Sequence, residues 1–131
     1  MASTTIADYQ VLSDGSFTLD TVQGGSPNEA TLNFEVPSDF AFESGVRKPI
    51  LSFNILPFED SNFKVFLNHR EVASFNFDKS HTRGHQEAFS ATTAFPNGSS
   101  FSNPVPLRIF LSSGKIRLSD VVVWYQIKRN P

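Results

Sequence analysis

The sequence predicts an all-β protein: one antiparallel β-sandwich of eight or nine short strands with little or no helix. Three observations predict it. Apolar residues recur at every second position in run after run, and period two places each set on one face of a strand. Clusters of Gly, Pro, Asn, Asp and Ser separate the runs, as turns require. Aromatic usage is skewed, with 14 Phe against 2 Tyr and 1 Trp, and large rings suit the gap of about 10 Å between two packed sheets.

The elements follow in chain order. Residues 9–12 and 16–20 read as two short strands joined by Asp14-Gly15, a hairpin-turn signal. After a loop at Gly24-Gly25-Ser26-Pro27-Asn28, Leu32, Phe34 and Val36 alternate with polar neighbours. Residues 38–44 fit either one helical turn capped by Ser38 or an irregular crossover. Leu51, Phe53 and Ile55 form the next set, then Phe63, Val65 and Leu67. Asn68-His69-Arg70-Glu71 is a tight connection into a strand carrying Ala73, Phe75 and Phe77. Phe89, Ala91 and Thr93 are a weaker set. Pro96-Asn97-Gly98-Ser99-Ser100 is a loop, and its formal glycosylation acceptor at Asn97 reads as a turn. Leu107, Ile109 and Leu111 follow, then the turn Ser112-Ser113-Gly114-Lys115, and Val121, Val123, Tyr125 and Ile127 close the chain. Phe34, Phe53, Phe63, Phe75 and Phe89 are the expected central core. Phe66, Phe110 and Trp124 fall on the opposite parity, so they point to a subunit contact, a ligand platform or cover by a loop.

At 131 residues the chain is expected to form a single domain, 1–131. The net charge of −2 lacks the basic field of a nucleic-acid binder. The charge is uneven: residues 1–60 carry nine acids and two bases, residues 61–131 nine bases and four acids. Either the two halves lie side by side within one sandwich, or the particle is dipolar and stacks on copies of itself. With no cysteine, disulfides, thiol catalysis and iron–sulfur ligation are excluded. The N-terminus has neither a basic nor an apolar targeting region, and no apolar stretch reaches the roughly 20 residues of a membrane helix. The expected location is the cytoplasm, or export without a conventional signal peptide.

The order of features from Ile50 to Ile127 resembles the galactose-binding-domain-like jelly rolls found in many carbohydrate-binding modules and lectins. The resemblance rests on Leu51-Ser52-Phe53-Asn54-Ile55, on Phe63-Lys64-Val65-Phe66-Leu67-Asn68 with a tight turn and Val72, on Asn103-Pro104-Val105-Pro106-Leu107-Arg108-Ile109, and on the closing run Leu118-Ser119-Asp120-Val121-Val122-Val123-Trp124-Tyr125. It implies a jelly-roll sandwich that binds sugars through loops at one end or across a sheet face. Fold alone does not fix function.

A sugar site pairs an aromatic face with planar polar side chains that read hydroxyls. Trp124, Tyr125, Phe110, Arg108, Asn68 and Asn76 supply that chemistry, although a lone Trp on a closing strand is more often core or interface. The segment Asp78-Lys79-Ser80-His81-Thr82-Arg83-Gly84-His85-Gln86-Glu87 concentrates two of the three histidines between carboxylates. Its first reading is a solvated polar loop, its second ligand recognition through Asp78, His81, Arg83 and His85, and its third a metal such as zinc. His69, at the far end of a hairpin from Asp78, is expected to stand apart from that loop. Gly-x-Ser-x-Gly, His-Glu-x-x-His and the phosphate-binding glycine loop are all missing from the sequence. The sequence thus points to non-catalytic carbohydrate binding without cofactor or metal, through Trp124, Arg108, Asn76 and the histidine loop, with a glycan or protein partner and a homo-oligomeric state. A structural or assembly protein is the alternative.

Overall fold

A computed structural model describes residues 4–21, 27–41, 48–77, 89–96, 101 and 105–129. The strands are β1 (Thr4–Asp20), β2 (Glu29–Phe34), β3 (Phe40–Ala41), β4 (Ile50–Pro57), β5 (Ser61–Leu67), β6 (Arg70–Phe77), β7 (Phe89–Ala94), β8 (Val105–Ser113) and β9 (Lys115–Arg129). They form a five-stranded sheet in the order β1-β9-β4-β7, in which β3 also pairs with β9, and a four-stranded sheet in the order β2-β8-β5-β6. Every ladder is antiparallel. The described residues contain no helix, and within 38–44 the described part is a turn at 38–39 followed by β3 paired on β9, so it is neither a helical turn nor an irregular crossover. The chain crosses repeatedly between the sheets, giving the antiparallel sandwich that the strand pattern predicts, in the jelly-roll-like form that the resemblance implies.

The alternating sets meet in the middle. Leu51, Phe53 and Ile55 of β4 and Val121, Val123, Tyr125 and Ile127 of β9 face Phe63, Val65 and Leu67 of β5 and Leu107, Ile109 and Leu111 of β8, all buried. Many of the described Phe residues gather into two ring clusters. In one, Phe34, Phe40, Phe101 and Tyr125 pack edge-on or tilted at 5.0 to 6.2 Å. In the other, Phe63 stacks on Phe75 at 5.0 Å and Phe75 on Phe77 at 5.7 Å, with Phe53 edge-on to Phe63 and Phe75. Phe34, Phe53 and Phe63 are buried as expected, and Phe75 is half-buried against them. Phe95, buried beside Phe101, joins them unanticipated because it follows the strand rather than alternating within it. The side chain of Phe89 lies outside the described residues.

Two expectations are corrected. Asp14-Gly15 does not make a hairpin: β1 is one strand of 17 residues paired along β9, itself 15 residues long. The register jumps from Val11↔Val122 to Ser13↔Val121 and then to Ser16↔Ser119, so the turn-forming residues are absorbed as a bulge. A continuous partner strand outweighs local turn propensity. For the same reason the strands are not uniformly short.

The turn at Gly114 carries the chain from one sheet to the other. Its φ of 96° is left-handed, and an added Cβ would lie 2.5 Å from the Asp60 carbonyl oxygen and 2.8 Å from Ser61 Cα. Only glycine fits there. Buried Ser61 fastens the junction: its Oγ donates to the Glu59 carbonyl at 2.7 Å and accepts from the Lys115 N–H at 3.1 Å. The charge asymmetry also pairs within the sandwich. Glu29 of the acidic half meets Arg108 of the basic half at 2.7 Å, and Asp20 meets Lys115 at 3.9 Å.

Candidate functional site

Both sheets have an outer face, and the sequence-predicted residues divide between them. Trp124 alternates with buried Val123 and Tyr125, so it projects outward from the five-stranded sheet. Arg108 alternates with buried Leu107 and Ile109 and projects from the opposite side of the sandwich. These two cannot share a ligand site. Asn76 is on Arg108's face, but its β5 partner is Asn62 whereas that of Arg108 is Phe66. Four residues of strand separate them, roughly 13 Å at the usual rise. Asp78, His81, Arg83 and His85 lie outside the described residues, as do 22–26, 97–100 and 102–104. Among the described residues no group of three His, Cys, Asp or Glu is placed to hold a metal, and no helix is long and apolar enough to cross a membrane.

On the five-stranded sheet, Tyr9 of β1 lies directly opposite Trp124 in the ladder. Their rings are 5.1 Å apart and inclined by 38°, and they remain 55% and 45% exposed. The Trp124 indole N–H donates to Ser52 Oγ at 2.8 Å, which fixes the ring over β4. Val11 and Ile50, both exposed, extend the apolar surface to either side. A polar chain occupies the same face further along: Ser90 Oγ donates to Asn54 Oδ1 at 2.8 Å, and Asn54 Nδ2 donates to Asp120 Oδ2 at 2.9 Å. Asp120 has a φ of 52° at a bulge where β9 gains one residue on β4. There it engages Asn54. Two aromatic rings beside fixed hydroxyl, amide and carboxylate groups can stack on sugar C–H faces and read hydroxyls.

Sequence reasoning missed Tyr9. Its signal was present, an aromatic on an alternating strand, but pairing with Trp124 depends on a register across more than one hundred residues. Tyr125 is corrected the other way: it is 8% exposed and belongs to the core. Burial raises its phenol above the ordinary value of 10.0, and the nearby charges of Asp8 and Asp39 add to that.

On the four-stranded sheet, the Arg108 guanidinium carbon lies 5.1 Å from the ring centres of both Phe66 and Phe110. Its Nε donates to Glu29 Oε2 at 2.7 Å. Thr31, Phe66, His69, Pro106 and Arg108 line a small surface pocket of about 90 Å³. Asn68 and His69, at φ 52° and 70°, form the two-residue turn between β5 and β6. Lys64 and Glu71 pair nearby at 3.1 Å.

No protein-family model matches the sequence, and no curated protein matches it. Solved structures share its fold. Dimeric latent PorU from Porphyromonas gingivalis aligns with a TM-score of 0.53 at 14% identity, over 95% of this chain and 13% of that chain. The family GH115 4-O-methyl-α-glucuronidase BtGH115A aligns with a TM-score of 0.51 at 12% identity, over 90% of this chain and 17% of that chain. The C-terminal CBM6 of the laminarinase LamC from Zobellia galactanivorans aligns with a TM-score of 0.49 at 13% identity, over 93% of this chain and 99% of that module. The chain thus spans a small part of the first two proteins. Its fold, an antiparallel β-sandwich of two sheets, is one that regions of the first two structures share.

Proposed function

We propose that the protein is a non-catalytic, lectin-like carbohydrate-binding module whose platform is the outer face of the five-stranded sheet. The observation that carries this reading is the exposed Tyr9–Trp124 pair, with the indole N–H held by Ser52. A soluble protein gains nothing in stability from leaving two adjacent aromatic faces in water. A sugar ring laid across them buries its C–H face, while Asn54, Ser90 and Asp120 reach its hydroxyls. The mildly acidic charge favours a glycan over a nucleic acid as partner.

A glycan array followed by calorimetry on the best ligand tests this. Trp124→Ala is expected to lose at least about 30-fold in affinity, the scale of a central aromatic anchor. Absence of any glycan bound more tightly than millimolar overturns the reading.

A second reading is an assembly role, favoured by Val11 and Ile50, which widen the ring pair into a continuous apolar surface. Two copies meeting there would form a homo-oligomer. Sedimentation separates the two: assembly predicts a concentration-dependent mass that Trp124→Ala abolishes and that no sugar is needed to produce.

A further inference from the structure

We infer that the pocket of Arg108, His69, Thr31, Phe66 and Pro106 is a second binding site, on the opposite face of the sandwich, and that it takes a sugar ring bearing a carboxylate. A solitary surface arginine is ordinarily mobile. Here two phenyl rings at 5.1 Å and the Glu29 carboxylate at 2.7 Å hold the guanidinium from three sides. All of these restraints leave the terminal guanidinium nitrogens without a hydrogen-bonded partner among the described residues, and a planar carboxylate matches that fork of N–H donors. Because the guanidinium is already positioned, less ordering is required on binding.

The rest of the pocket defines what carries the carboxylate. Phe66 and Pro106 provide an apolar wall suited to a ring's C–H face. The Thr31 hydroxyl and the His69 imidazole, neither hydrogen-bonded within the described residues, are placed to meet ring hydroxyls. His69 occupies the second position of a turn in which both residues have positive φ. Glycine is the favoured residue there, so the chain tolerates strain to put an imidazole beside the pocket. Glu29 limits the net positive charge, so a small monoanion fits better than a dianion such as phosphate.

The test is titration of the intact chain by NMR with glucuronate, glucose, acetate and inorganic phosphate in parallel. Glucuronate is expected to shift Thr31, Phe66, His69 and Arg108 resonances saturably, with glucose, acetate and phosphate each at least ten-fold weaker. Arg108→Gln is expected to lose at least ten-fold in glucuronate affinity. His69→Gly is expected to raise the melting temperature while weakening glucuronate, a combination that a purely structural histidine would not give, and one that remains readable if Arg108→Gln fails to fold. Trp124→Ala should leave glucuronate binding intact, which separates this site from the neutral-sugar platform. Equal binding of glucose and glucuronate, equal binding of acetate or phosphate, no saturable shift by 20 mM (a dissociation constant far above millimolar), or wild-type affinity in His69→Gly each overturns it.

Discussion

The outer faces of the two sheets are built from similar residues yet do different things with them. On the five-stranded sheet, Tyr9 and Trp124 lie side by side and keep their faces in water. On the four-stranded sheet, Phe66 and Phe110 are half-buried and share one guanidinium between them. Aromatic rings on a strand surface can therefore be a platform themselves, or they can brace a charged group. Which occurs depends on the cross-strand neighbour. Tyr9 is paired with Trp124, whereas Phe66 is paired with Arg108. The first arrangement suits neutral C–H surfaces and the second a planar anion.

The largest expected effect abolishes the comparison altogether. Gly114→Ala places a Cβ against Asp60 and Ser61 where the chain passes between sheets, and should destabilise the fold by about 3 kcal/mol or more. Urea denaturation should show it, with both faces losing ligand together. Trp124→Ala comes next, weakening neutral glycans by at least about 2 kcal/mol. Because the indole is 45% exposed, its removal should change unfolding free energy by less than about 1 kcal/mol, within the range of surface substitutions bearing one hydrogen bond. A larger stability loss would assign Trp124 to structure and weaken the contrast between the faces.

His69→Gly should stabilise the β5–β6 hairpin by about 1 kcal/mol, since glycine accepts a positive φ without the clash an L side chain meets. Tyr125 links one sheet to pH. Its phenol is raised by burial and by Asp8 and Asp39, so the neutral form is favoured in the folded state. That contribution is complete below the unfolded value of 10.0 and is lost as pH rises through the higher folded value. Unfolding free energy measured from pH 9 upward should fall less steeply in Tyr125→Phe. The smallest effect belongs to Lys64→Ala on the four-stranded face. Lys64 and Glu71 are each half-exposed, and such pairs are worth about 0.5 kcal/mol or less. A larger value would mean that the ion pair helps to shape the Arg108 pocket.

The fold was largely legible in the sequence because period two is a local signal. Phe63, Val65 and Leu67, or Leu107, Ile109 and Leu111, declare their buried face within five residues. Asp14-Gly15 misled because its turn propensity is also local, while the pairing of β1 with β9 that overrides it spans nearly the whole chain. The candidate sites were legible only one residue at a time. Parity marked Trp124, Phe66, Phe110 and Arg108 as outward-facing. Parity says nothing about which sheet a strand joins, so Trp124 and Arg108 looked like partners until the strand order put them on opposite sides. Tyr9 and His69 needed the register and the turn geometry respectively. Neither is encoded in the spacing of neighbouring residues.

Trp124 is the only tryptophan in the chain, so its fluorescence reports directly on the proposed platform. Emission should be recorded while the best neutral glycan from an array is titrated into the wild-type protein. The account predicts a saturable blue shift and protection from acrylamide quenching, with the same dissociation constant that calorimetry gives. A glycan that binds by calorimetry while leaving the Trp124 emission and its quenching unchanged would contradict the central claim, and would move the site away from the five-stranded face.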